Sequence, residues 1–87
     1  MRILLVEDHP AMRFAVGALL RAEGDMDLAE ETDNTGEALE LARSEKPDLA
    51  IVDLQLKGDG DGVELCRELK SLPSPPKVLI YNRLQLQ

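Results

Sequence analysis

Three acidic side chains, Glu7, Asp8 and Asp53, each follow a short run of branched apolar residues, Ile3 to Val6 in one case and Leu49 to Val52 in the other. Carboxylates gathered in one place repel one another, and a hard, oxygen-seeking cation such as Mg2+ relieves that repulsion while accepting waters and phosphate oxygens as further ligands. These residue types therefore predict a metal-dependent phosphoryl site. Their placement supports it: in a parallel sheet buried on both faces, strands read as unbroken apolar runs, and ligands bind in the crevice beyond the strands' carboxyl ends. Two acid-terminated strands then imply one acidic pocket.

Other residues with chemical potential carry less. Asp59 and Asp61 hint at a calcium loop, but Val63 takes the third acidic position and Lys70 the place of the closing glutamate, which excludes an EF-hand. His9 is the only histidine; a lone imidazole makes no catalytic dyad, and beside Pro10 it reads as a structural residue at a helix entrance. Cys66, the single cysteine, excludes an internal disulfide and a Cys-rich zinc site, agrees with a reducing, cytoplasmic compartment, and reads as a small apolar residue on a helix.

The elements that must position the acids fit within 87 residues of net charge -7, enough for one small domain or part of one. With no Lys/Arg cluster, the chain lacks the electrostatic footprint of a nucleic-acid binder, and a partner attracted by charge would be basic. The apolar stretches are a few residues long where a membrane span needs roughly 20, and Glu7 and Asp8 interrupt the opening run before it resembles a signal peptide.

Along the chain, hydrophobic pattern and turn chemistry predict strand, helix, strand, helix, strand, helix, strand, an alternation that favours a parallel sheet with right-handed crossovers. The first strand spans about Arg2 to Val6. Pro10 suits the first helical position, and Phe14, Ala15, Ala18, Leu19 and Ala22 form an apolar packing face that lasts until Gly24. A more polar strand near Asp27 to Glu31 reads as a sheet edge. Asn34 with Glu37 resembles a capping box that opens a helix through about Arg43, with Ala38, Leu39 and Ala42 inward. Pro47 precedes a central strand, Asp48 to Val52; the Gly/Asp-rich loop that ends at Gly62 leads into a helix with Val63, Cys66 and Leu69 inward. Pro75 and Pro76 introduce the last strand, Lys77 to Tyr81.

Taken together, Leu5-Val6-Glu7-Asp8-His9-Pro10, Pro47-Asp48-Leu49-Ala50-Ile51-Val52-Asp53-Leu54, Gly60-Asp61-Gly62 before a helix, and Val78-Leu79-Ile80-Tyr81 resemble the receiver domain of bacterial response regulators over residues 1–82. The Asp-His-Pro turn and the Asp-Gly-Asp-Gly loop are most similar to the NarL-type subfamily, whose receivers usually precede a helix-turn-helix DNA-binding domain. The resemblance implies a flavodoxin-like (CheY-like) doubly wound parallel sheet, here ending after the fourth strand, and a phosphoacceptor role for Asp53 toward a phosphohistidine on a sensor histidine kinase. It implies Mg2+ as cofactor, held by Asp8 directly, by Glu7 through water, by Asp53 and by the backbone carbonyl of Gln55. Asn82 falls at the switch position, where the family normally has Thr or Ser, and its amide is the available donor there. Tyr81 is not the aromatic switch residue, which belongs to a later strand.

The family pattern continues through a fourth helix, a fifth strand bearing an essential Lys and a fifth helix, which this sequence does not contain. Phosphorylation is therefore expected to be impaired. Lys70, on a helix, and Lys77, at the strand's opposite end, cannot stand in for that Lys; Arg83 and Lys57, on the correct rim, are the possible substitute cations. A sheet left uncovered on this scale predicts a homodimer through the last strand or first helix, because four or so exposed apolar side chains at about 1.5 to 3 kcal/mol each rival a small domain's whole stability. The tail from Asn82 to Gln87 alternates apolar and polar residues, which suggests that the last strand runs on and pairs antiparallel with the same strand of a second chain; the alternative expectation is a disordered tail. Two other functions remain in view. One is a phosphorylation-independent dimerisation or sequestering module. The other, a haloacid-dehalogenase-type phosphatase, requires a second Asp where Gln55 stands, so the expectation is that the chain is not an enzyme.

Overall fold

The computed structural model describes residues 1–54, 56 and 62–81. Within them the chain forms β1 (Arg2–Val6), α1 (Pro10–Ala22), β2 (Asp27–Thr32), α2 (Thr35–Glu45), β3 (Leu49–Asp53), α3 (Gly62–Lys70) and β4 (Lys77–Tyr81). Gln55, residues 57–61 and residues 82–87 lie outside this description, and with them the expectations for the Asp-Gly loop and for an extended last strand.

All three pairings are parallel, and the sheet order is β2-β1-β3-β4, the beginning of the flavodoxin-like order expected from the sequence. The position of each strand follows from its composition. β1 and β3, apolar throughout, take the centre, where Ile3 to Val6 and Ala50 to Val52 are buried. β2, with the sequence DLAEET, forms the edge and has one buried residue, Thr32. The third strand runs one residue later than the predicted Asp48 to Val52. Asp48 instead closes the opposite end of the sheet, accepting the Arg2 N–H on Oδ2 at 2.7 Å, while Asp53 stays in the ladder opposite Tyr81.

The helices are capped much as the sequence suggests. His9 is the N-cap of α1, its Nδ1 accepting the Met12 N–H at 3.4 Å with Pro10 in the first turn. Asn34 caps α2 by accepting the Glu37 N–H at 2.9 Å, but only this half of the predicted capping box forms as drawn, because the Asn34 N–H donates to Thr32 Oγ1 at 3.2 Å. α2 continues to Glu45 and stops at Lys46, whose left-handed conformation (φ 47, ψ 60) completes the C-cap.

Two packing expectations are corrected. In α1, Phe14, Ala15, Ala18, Leu19 and Ala22 face outward, with Phe14 77% and Leu19 70% exposed, and the sheet is met by Gly17 and Leu20 with Val16 partly buried. Gly17 explains the choice: a Cβ there would lie 3.5 Å from Leu28 Cδ2 and 3.2 Å from the Arg21 guanidinium, so a residue without a side chain lets the helix sit close on β2. In α3 the inward residues are Leu65, Cys66 and Leu69, whereas Val63 is exposed.

Two apolar clusters result, one on each face of the sheet. Leu4, Val6, Ala50 and Val52 pack with Ala38 and Ala42 of α2, Leu65, Cys66 and Leu69 of α3, and Leu56. Ile3, Leu5 and Ile51 pack with Leu20 of α1 and part of Tyr81. No helix among the described residues is long and apolar enough to cross a membrane.

Candidate metal centre

β1 and β3 are neighbours with Val6 paired to Val52, so the residues that follow emerge side by side at the carboxyl edge of the sheet. Glu7, Asp8 and Asp53 each place one carboxylate oxygen so that all three lie within 4.8 Å of one another. Glu7 and Asp53 are fully buried and Asp8 is half-buried. The acids that the sequence singled out, 45 residues apart along the chain at their closest (53 − 8), are therefore brought together.

Glu7 is held at every polar atom. Its N–H donates to Thr32 O at 3.0 Å and its carbonyl accepts from Arg13 Nη1 at 3.1 Å. On the side chain, Oε2 accepts the His9 N–H at 2.9 Å and Oε1 accepts a hydrogen bond from the Tyr81 hydroxyl. The Asp-His-Pro turn thus does two jobs: the His9 ring caps the helix, and the His9 backbone orients a carboxylate of the pocket.

Asp53 is positioned by β3 and by its surroundings. The next residue, Leu54, donates its N–H to Tyr81 O at 2.8 Å, tying the end of β3 to the end of β4. Gly62, the first residue of α3, lies against the same stretch of backbone; a Cβ there would collide with the Asp53 carbonyl and come within 2.8 Å of Leu54 Cα. A glycine is required for this close approach of helix to acceptor strand.

The donor set is three carboxylates with no sulfur ligand, and the one imidazole is engaged through Nδ1 at the helix cap. Hard oxygen donors of this kind suit Mg2+ and similar cations over zinc or copper, so the residues fit the metal expected from the sequence. Burial of two of the carboxylates strengthens the electrostatics of the pocket, since opposite charges attract more strongly away from water. Gln55, Lys57, Asn82 and Arg83 lie outside the described residues. Sequence reasoning missed the Tyr81 hydroxyl. The available signal was strand register: Tyr81 ends β4 beside Asp53, at the same edge of the sheet as Glu7.

The family model described as "Response regulator receiver domain" matches residues 3–84. A Pseudomonas aeruginosa protein described as a transcriptional regulator is 44% identical over 82 residues, covering 94% of this chain and 39% of the relative. The DNA-binding transcriptional activator DevR/DosR of Mycobacterium tuberculosis is 37% identical over 81 residues, covering 93% of this chain and 37% of its own length. The chain thus spans about two fifths of the length of these relatives. Among solved structures, a two-component response regulator of the LuxR family from Aurantimonas sp. SI85-9A1 superposes with a TM-score of 0.86 at 32% identity, covering 97% of this chain and 59% of that one.

Proposed function

Because the chain belongs to the response regulator receiver domain family, we propose that it acts as a phosphoacceptor in a two-component pathway, Asp53 taking the phosphoryl group from a phosphohistidine of a sensor histidine kinase. The observation that carries this reading is the convergence of Glu7, Asp8 and Asp53 at the carboxyl ends of two adjacent parallel strands.

In the transfer, an Asp53 carboxylate oxygen forms the new bond to phosphorus as the P–N bond to the kinase breaks. The electron pair stays on the imidazole nitrogen, and the products are an aspartyl phosphate and a free histidine side chain. Asp8, Asp53 and the Gln55 backbone carbonyl would hold Mg2+ directly, with Glu7 acting through water, and the ion would neutralise charge on the phosphoryl oxygens. His9 N–H and Tyr81 keep the Glu7 carboxylate turned into the pocket, and the close contact of Gly62 with the end of β3 fixes the acceptor's backbone. Asn82 would donate its amide to a phosphoryl oxygen in place of a hydroxyl, and Arg83 or Lys57 would supply a second positive charge. The similarity to transcriptional regulators supports a transcriptional output for the pathway.

Incubation with acetyl phosphate and Mg2+ tests the reading. The wild-type chain should gain a phosphoryl group that is labile to hydroxylamine, as an acyl phosphate is, and Asp53→Asn should gain none. Equal labelling of the two proteins, or no labelling of either, would sink it.

Exposure of Phe14, Leu19, Leu79 and Ile80 favours a second reading, an association module that binds a second copy of the chain or another regulator without phosphorylation. It predicts a dimer mass by light scattering and partner binding that Asp53→Asn leaves unchanged.

A further inference from the structure

The Tyr81 hydroxyl donates to Oε1 of Glu7, a bond that crosses the sheet from β4 to β1 over the acceptor strand β3. Tyr81 is also the register partner of Asp53, and its carbonyl accepts the Leu54 N–H at 2.8 Å. One residue therefore touches both halves of the acidic pocket, with its backbone fastened to the acceptor strand and its side chain fastened to the carboxylate that directly follows β1. Its ring packs in the cluster of Ile3, Leu5, Leu20 and Ile51, which sets the direction in which the hydroxyl points.

The Glu7 carboxylate is fully buried and receives one donor on each oxygen, the His9 N–H on Oε2 and the Tyr81 hydroxyl on Oε1. Rotation about the bond that carries the carboxylate would break both contacts together, so its plane is fixed before any ligand arrives. Each carboxylate oxygen has two lone pairs, and one donor per oxygen leaves acceptor capacity on both for the pocket side. Mg2+ demands near-ideal octahedral geometry and gives up its waters reluctantly, so a pre-oriented acceptor for its hydration shell matters to affinity.

We propose that Tyr81 is a positioning residue of the Mg2+ site: its hydroxyl locks the Glu7 carboxylate in the orientation that receives the ion. The inference rests on the reading of Glu7, Asp8 and Asp53 as a Mg2+ site. Loss of an outer-shell hydrogen bond to a ligating group typically weakens metal binding about 10- to 100-fold. Because Glu7 is expected to act through water, the smaller end of that range applies.

Tyr81 is the only tyrosine in a chain without tryptophan, so tyrosine emission reports this one phenol. Phenol emission is quenched by hydrogen bonding to a carboxylate, and a cation that shares the charge of that carboxylate alters the quenching. The experiment is therefore a Mg2+ titration of the full chain, followed by calorimetry for wild type, Tyr81→Phe and Asp8→Asn, and by tyrosine emission for wild type and Asp8→Asn. Wild type should bind Mg2+ with a saturable emission change at the calorimetric midpoint, Asp8→Asn should lose both signals, and Tyr81→Phe should bind about tenfold more weakly. If wild type binds Mg2+ and Tyr81→Phe binds it equally well, the positioning role is overturned and the metal site stands. If wild type binds no Mg2+, the metal site falls and the inference falls with it. Should the Phe variant fold poorly by circular dichroism, the wild-type emission decides: a flat trace while calorimetry shows binding overturns the proposal, and a trace that saturates with the calorimetry supports it.

Discussion

On the face of the sheet that carries α2 and α3, Leu4, Val6, Ala50, Val52, Ala38, Ala42, Leu56, Leu65, Cys66 and Leu69 are all buried. On the face that carries α1, the fully formed cluster is Ile3, Leu5, Leu20 and Ile51, while Phe14, Leu19 and Leu79 are more than half exposed. The same strands feed both faces through simple alternation, so their apolar content does not explain the contrast. Helices do: two pack on the first face and one on the second among the described residues. The lesson is that stability and availability are divided between the faces. The α2–α3 side holds the larger buried cluster, although Ile80 and Val63 are partly exposed there, and the α1 side keeps the more exposed large apolar groups, Phe14 and Leu19, in contact with solvent.

The sharpest way to break this comparison is to cut a cavity into the α2–α3 side. Leu69 is fully buried between α3 and the sheet, and Leu69→Ala should lower unfolding stability by about 2 to 5 kcal/mol, the usual cost of a Leu-sized cavity. For a small domain that is a large fraction of the total, so the variant should melt at a markedly lower temperature or fail to accumulate. Chemical denaturation of wild type and variant measures it. A loss below about 1 kcal/mol would mean that the α2–α3 side is loosely packed and that the two faces do not differ in kind.

The contrast was only partly legible in the sequence. Runs such as Ile3 to Val6 and the capping residues His9 and Asn34 signal their elements through local chemistry, and the structure places those elements within a residue or two of the expected bounds. The pairing of Glu7 and Asp8 with Asp53 was legible because acid-terminated strands share one edge of a parallel sheet. The inward stripe of α1 was not. That helix is apolar on several sides, with Ala11, Met12, Phe14, Ala15, Val16, Ala18, Leu19 and Leu20, and hydrophobic spacing alone does not choose among overlapping stripes. Shape chose, through the room that Gly17 leaves beside Leu28. Val63 misled for a related reason: the inward stripe of α3 is Gly62, Leu65, Cys66 and Leu69, and Val63 stands one position off it. The Tyr81 bond to Glu7 joins residues 74 apart, which only strand order brings together.

The second comparison concerns the outer side of α1. Replacing Phe14 and Leu19 together by Glu removes two large exposed apolar groups, and unfolding stability should stay within about 0.5 kcal/mol per site. Any self-association through this face should disappear at the same time, read as a fall in light-scattering mass to that of one chain. A stability loss above about 2 kcal/mol would show that this surface is packed in solution and would erase the difference between the faces.

The smallest effect tests how tightly the α2–α3 side is sealed. Cys66 is buried there, and burial pushes its thiol pKa up, with the charge of Lys70 acting in the opposite direction. A folded-state pKa raised above the unfolded value means that the unfolded chain gives up this proton first. The contribution of Cys66 to stability is therefore complete below the unfolded thiol pKa and is lost as pH rises from there through the folded pKa. At neutral pH the thiol should stay unreactive toward iodoacetamide in the native chain and react readily in denaturant, because only the thiolate is nucleophilic and only unfolding exposes it. Cys66→Ser should flatten the alkaline part of the stability profile. Rapid alkylation of the native protein would instead mean that α3 opens away from the sheet often enough to admit reagent, and the closed face would then be the more dynamic of the two.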